Sequence, residues 1–101
     1  MRSLVGLVAV LGLVALACAS PAATPAPNVA EGKALFVGKG CGACHGAEAQ
    51  GGIGPNLKQP QQTADAITTA VRSGKGSMSA FPASQLSDAE LQNIIAFLRA
   101  P

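Results

Sequence analysis

The chain has 101 residues, with 12 Gly, 7 Pro, 3 Phe and neither Trp nor Tyr. That allows one small domain, and a domain below about 80 residues seldom builds a sufficient core without a staple, a metal or another large apolar partner. The formal net charge is +2 and no basic run exists, so the electrostatic footprint of a nucleic-acid binder is absent.

Met1-Arg2-Ser3 is a short positive start, and Leu4 to Ala17 follows without a charge. That stretch is short of the ~20 residues that span a bilayer. Residues 1–17 therefore read as a secretory signal peptide. An uncleaved N-terminal membrane anchor is the alternative, and either places the folded part outside the cytoplasm. Ala15-Leu16-Ala17-Cys18 resembles a bacterial lipobox, loosely, because Ala15 stands where Leu is usual. Lipidation of Cys18 is the favoured reading. Cleavage at an A-x-A pattern, which would discard Cys18, and a plain apolar leader Cys are the alternatives. Residues 18–27 read as a tether, because Ser20 to Pro27 is uncharged and Pro/Ala-rich and is biased to extended polyproline II.

A domain is predicted over residues 28–101. Asn28 and Glu31 have capping-box spacing, and a helix is predicted from Val29 to Val37. Its apolar positions are Ala30, Ala34, Leu35, Phe36 and Val37. Gly32, at a helix-interior cost of ~1 kcal/mol, suggests a close crossing; a tolerated surface Gly is the plainer reading. Gly38 and Gly40 end the helix.

Cys41-Gly42-Ala43-Cys44-His45 then gives the C-x-x-C-H pattern of covalent c-type haem attachment. Two thiols add to the two vinyl groups, and the adjacent imidazole ligates iron. On a helix, Cys41, Cys44 and His45 fall at roughly 0°, 300° and 40°, one face toward one flat cofactor. Gly42 and Ala43 are small, which the reading takes as room for close approach of the porphyrin. A thioredoxin-like redox pair would want a βαβ context, zinc would want four ligands, and a disulfide would leave His45 without a role. A haem also supplies the apolar bulk that this aromatic-poor chain lacks.

Gly46 to Pro55 is a Gly-rich loop, ending in the turn Gly54-Pro55-Asn56-Leu57. A metal-ligating His usually hands its other ring N–H to an acceptor, and a backbone carbonyl of this turn is a candidate. Thr63 is predicted to cap a helix over Ala64 to Ser73, with Ala66, Ile67, Ala70 and Val71 on one face. The loop from Ser73 to Pro82 carries Met78, the last Met once Met1 leaves with the leader. A gap-filling core Met is the commoner fate. In a polar Gly/Ser loop, beside a haem domain with a single His, a sixth iron ligand is the favoured reading. Ser87 to Glu90 is an S-x-x-E capping box flanked by Leu86 and Leu91 as a hydrophobic staple. The last helix is predicted over Asp88 to Arg99, with Leu91, Ile94, Ile95, Phe97 and Leu98 apolar. No strand pattern is present.

Together these residues resemble a class I c-type cytochrome of the short monohaem bacterial type, over about Asn28 to Ala100. The resemblance implies an all-α fold, three main helices wrapped around one covalent haem c, with the first and last helices crossed near Gly32. It implies the Pro55 carbonyl as acceptor for His45, Met78 as distal ligand, and Leu57, Ile67 and Val71 lining the haem. The Phe36 to Cys41 segment is one residue longer than in many relatives. The aromatics are only Phe36, Phe81 and Phe97, so other ring contacts must be aliphatic. The function implied is a one-electron carrier, not an enzyme, shuttling between respiratory or photosynthetic complexes in the periplasm or on the outer face of the membrane. Partners would be a quinol-oxidising complex, a terminal oxidase or a dehydrogenase, met by a monomer, with membrane association through its N-terminus. A haem subunit of a dehydrogenase or oxidase complex is the alternative. A ligand-binding haem sensor or a peroxidase would require Met78 to be off the iron.

Overall fold

The computed structural model describes residue 12 and residues 26–101. The predicted signal peptide (1–17) and tether (18–27), Cys18 included, lie outside the described residues except at Gly12, Ala26 and Pro27. Among the described residues the elements are α1 (Val29–Gly38), α2 (Cys41–His45), α3 (Ala64–Ser73) and α4 (Asp88–Arg99), with no strand. This is the expected all-α architecture: three main helices, and a short one that carries the C-x-x-C-H pentapeptide.

Local chemistry sets the helix starts. Thr63 Oγ1 accepts the Ala66 N–H at 3.1 Å. Ser87 and Glu90 form both halves of a capping box, at 3.2 and 3.0 Å. The Glu90 carboxyl is held below its ordinary range, chiefly by the backbone N–H of Ser87 that it accepts. Leu86 and Leu91, the staple pair, are both buried. At Asn28 only half of the box forms. Its side chain accepts the Glu31 N–H at 3.0 Å, but its own N–H donates to Asn93 Oδ1 of α4 at 2.9 Å. The second bond thus ties two helices together instead of closing within one.

α1 packs chiefly on α4, and Gly32 is the reason the two approach so closely. A Cβ at Gly32 would stand 1.9 Å from the Asn93 carbonyl oxygen and 3.0 Å from Phe97 Cβ. Phe36 then reaches over Phe97, with ring centroids 5.5 Å apart. Leu91, Ile94, Ile95, Phe97 and Leu98 of α4 are all buried, as their stripe predicts. The apolar residues of α1 behave differently. Only Gly32 and Phe36 are buried, while Ala30, Ala34 and Val37 are exposed. A helix meeting its partner at one close crossing buries a narrow line, whatever the composition of its other faces. The carboxyl end of α4 is covered from the 58–61 segment. Lys58 Nζ donates to Ala100 O at 3.3 Å and lies 4.6 Å over the Phe97 ring, and Gln61 Nε2 donates to Arg99 O at 2.6 Å.

The crossing yields a test. Gly32→Ala should destabilise the protein by at least ~1–3 kcal/mol, the scale of core overpacking, because the obstacle is backbone. Gly38→Ala, where a Cβ meets nothing within 4 Å, should change stability by less than ~1 kcal/mol. Denaturant unfolding of the two variants beside the parent chain checks this.

Candidate functional site

α2 is too short to stand alone, so the loop behind it fixes its geometry. Gly51 N–H donates to His45 O, and Gly54 N–H to Cys44 O, each at 2.7 Å. These bonds satisfy the last carbonyls of α2 and fold residues 46–57 back against it. Pro55 O therefore arrives 2.9 Å from His45 Nδ1. A proline carbonyl only accepts, so Nδ1 carries the proton and Nε2 is left as the ring's free lone pair. The ring is buried, with Phe36 on α1 at 6.5 Å between centroids. At Gly54 a Cβ would stand 2.8 Å from His45 Cε1 and 2.9 Å from Nδ1, so only glycine lets the turn lie against the imidazole.

His45 lines a cleft of about 1060 Å³. That is at the upper end of the ~300–1,000 Å³ usual for small-molecule and cofactor sites. Cys41, Cys44, Pro55, Leu57, Ile67, Val71 and Met78 line the same cleft. The sequence-predicted cofactor residues of the domain are therefore brought together around one space, from four separate stretches of chain. Cys41 and Cys44 are not joined in a disulfide. Met78 is half-buried, held by paired backbone bonds of 3.0 Å with Lys75. Among the described residues no group of three or more His, Cys, Asp or Glu side chains is arranged to hold a metal ion. Two thiols, one oriented imidazole, one thioether and apolar walls fit a covalently held haem.

One expectation needs correcting. Neither Gly42 nor Ala43 lines the cleft. Gly42 backs onto Ala47, whose Cα would lie 3.5 Å from a Cβ there, and Ala43 is exposed. Their angles on the helix, roughly 100° and 200° from Cys41, already turn them away from the face of the thiols and the imidazole. Three residues escaped the sequence reading. Ala49 is fully buried at φ 58°, a conformation that no pattern announces. Ile53 is 94% exposed at the cleft rim, and its signal was a lone large aliphatic residue in a Gly-rich loop. Arg72 joins the ends of the loop that follows Met78.

The family model for cytochrome c oxidase, cbb3-type, subunit III matches residues 27–98. Among solved structures, the chain is similar to cytochrome cL from the marine methylotrophic bacterium Methylophaga aminisulfidivorans MPT. The identity is 28%, the TM-score 0.59, and the match covers 70% of this chain and 51% of that one. It is similar to the c-type cytochrome SorU from Sinorhizobium meliloti at 32% identity and TM-score 0.56, over 69% of this chain and 85% of that one. Cytochrome cL from Hyphomicrobium denitrificans, 24% identical with TM-score 0.57 over 70% of this chain and 45% of that one, speaks for the fold alone. The chain spans about half the length of the two cytochromes cL. No curated protein matches it.

The turn beside the imidazole is open to test. Loss of an orienting partner of a metal-ligating His typically costs 10–100-fold in metal affinity or activity. Gly54→Ala should therefore lower the yield of haem-loaded protein and add a high-spin component to its oxidised spectrum. A wild-type spectrum would mean that the turn does not set the ring.

Proposed function

The chain belongs to the cytochrome c family of the cbb3-type oxidase subunit III model and carries haem c covalently, and from that membership we propose that it is a one-electron carrier with His45 and Met78 as the two iron ligands. The observation that carries this reading is that Met78 and an imidazole already committed at Nδ1 to Pro55 line one cleft with both thiols. Bound there, the haem supplies an iron that cycles between Fe(III) and Fe(II). Cys41 and Cys44 hold the group, and the Pro55 carbonyl fixes the imidazole and raises its basicity. The Met78 thioether would be the second ligand, a soft donor that favours Fe(II) and so raises the potential. Leu57, Ile67 and Val71 keep water from the cleft, which makes the charged centre dearer and acts in the same direction. With both positions filled, substrate chemistry at iron is blocked, so a sensor or a peroxidase requires Met78 to leave.

Related cytochromes c are extracytoplasmic, and among the described residues no helix is long and apolar enough to cross a membrane. We read residues 1–17 as the export signal, residues 18–27 as a tether and Cys18 as a lipid anchor. The mass of the mature N-terminal residue tests the anchor: a lipid-modified Cys18 is expected, and a start at Ser20 or later excludes it. Partner contact is read as a small apolar rim around the cleft, where Ile53 is exposed and Phe81 half-buried, with the exposed Ala80 next to Phe81 in the chain. Charge supports this. Lys33 pairs with Glu48, Arg72 with Asp88, and Lys39 lies 3.7 Å from Glu90 and donates to Gln85 O. Little concentrated field is left to steer a partner, and transient redox contacts bury less than ~1,200 Å². A dehydrogenase or quinol-oxidising complex on one side and a terminal oxidase on the other are the partner classes that fit. The matched model's description favours a second reading, residence as a subunit of an oxidase complex. Co-purification with a membrane complex in mild detergent separates that from a free carrier.

Ligation gives the direct test. The reduced protein should show a low-spin c-type spectrum, and the oxidised protein the weak red-end band of Met–Fe(III). Met78→Ala should abolish that band, lower the potential and open the reduced iron to carbon monoxide. An oxidised wild-type protein that is high-spin refutes the six-coordinate reading.

A further inference from the structure

We propose that Arg72 is the positioning residue for the Met78 loop, holding it closed against the cleft. The inference rests on the reading of Met78 as an iron ligand and concerns what keeps it there.

Between α3 and α4 the chain forms no helix, so Met78 depends on a few discrete ties. Before it, Lys75 and Met78 exchange backbone bonds at 3.0 Å. After it, Phe81 N–H donates to Val71 O at 2.7 Å. The Phe81 carbonyl has no partner in that pattern and is taken by Arg72 Nη1 at 3.0 Å. The same nitrogen donates to Leu86 O at 2.7 Å. Nη2 donates to Asp88 Oδ1, on the first residue of α4, at 2.6 Å. One guanidinium thus joins α3, both ends of the 81–86 segment and the start of α4. Phe81 is fixed through its N–H and its C=O to consecutive residues of α3.

The environment says which of these bonds matter. The Arg72 side chain is 23% exposed, so water competes only partly for its bonds to carbonyls. Asp88 is 90% exposed, and a pair with such a partner contributes little by itself; its use is to orient the fork. A planar guanidinium presents several donors in fixed directions, whereas lysine offers a single nitrogen that cannot reach three acceptors so arranged. None of these contacts touches Phe36, Phe97 or the α1–α4 crossing. Removing them frees the loop ahead of the fold. Arg72 therefore acts on how readily Met78 leaves the iron.

The test is a titration of imidazole into oxidised, haem-loaded wild type, Arg72→Met and Arg72→Lys. The red-end Met–iron band and far-ultraviolet circular dichroism are followed together, well below the unfolding temperature. Imidazole should displace Met78 about tenfold more readily in Arg72→Met, the scale of one lost charge-assisted bond to a carbonyl, with helix content unchanged. Arg72→Lys should lie between, and it decides the matter where Arg72→Met does not fold. A merely structural residue would lower the unfolding midpoint and leave imidazole affinity unmoved. Equal imidazole affinity in wild type and the folded variant overturns the proposal. A wild-type protein without the band overturns the Met78 reading itself, and this inference with it; the band's presence alongside unaffected variants overturns Arg72 alone.

Discussion

Everything in this domain depends on how closely α1 can lie on α4. Gly32 sets that distance, because any Cβ there would meet the Asn93 carbonyl. Phe36, one turn further on, can then reach both Phe97 of α4 and the His45 ring of α2. One aromatic side chain thereby connects the helix crossing to the cofactor side of the molecule. With only three Phe and no Trp or Tyr, few substitutes exist. A small chain with so little aromatic bulk meets its core requirement by concentrating contacts at this junction, and by leaving a large apolar cleft for the cofactor that its family carries.

The cleft has two sides held in different ways. On the His45 side, backbone bonds from Gly51 and Gly54 to the last carbonyls of α2 carry the turn to the imidazole, so the orientation of the ring is a consequence of helix termination. On the Met78 side the chain relies on paired bonds with Lys75 and on the anchoring of Phe81, whose N–H takes the Val71 carbonyl in the last turn of α3. The first arrangement is stiff because the same bonds satisfy obligatory helix-end groups and the loop together. The second closes through the Phe81 bond and the Arg72 side chain, and local opening draws on segments that hang on a few such ties.

What was legible in the sequence was what is local in it. Thr63 and Ser87-Glu90 find their partners three residues away, and the pentapeptide encodes its own chemistry, so helices and thiols fall where expected. The burial of α4 was legible because its stripe covers a whole face. The orientation of α1 was not, since which of its apolar residues turn inward depends on a partner far along the chain. Asn28 shows the same limit: its N–H takes Asn93, 65 residues on, where capping-box spacing points to Glu31. Arg72 is the clearest case. Its acceptors are the carbonyls of Phe81 and Leu86, groups that every residue type carries and that no side-chain pattern can flag.

Surface charge follows from the same economy. A chain with seven Lys/Arg and five Asp/Glu has few charges, and the fold uses several of them to tie segments together. Lys39 reaches Gln85 O and the Glu90 carboxylate, which links the α1–α2 junction to the start of α4; Lys58 covers the other end of α4. Charges engaged in this way are less available to a partner. Lys75 lines the same cleft as the exposed, apolar Ile53. On the proposed reading, encounter with a redox partner would rely less on long-range attraction than on how often the two surfaces meet, a quantity that a membrane tether would raise through local concentration. With the uncharged, Pro/Ala-rich residues 18–27 read as that proposed tether, the domain would supply a small contact and the tether the frequency of contact.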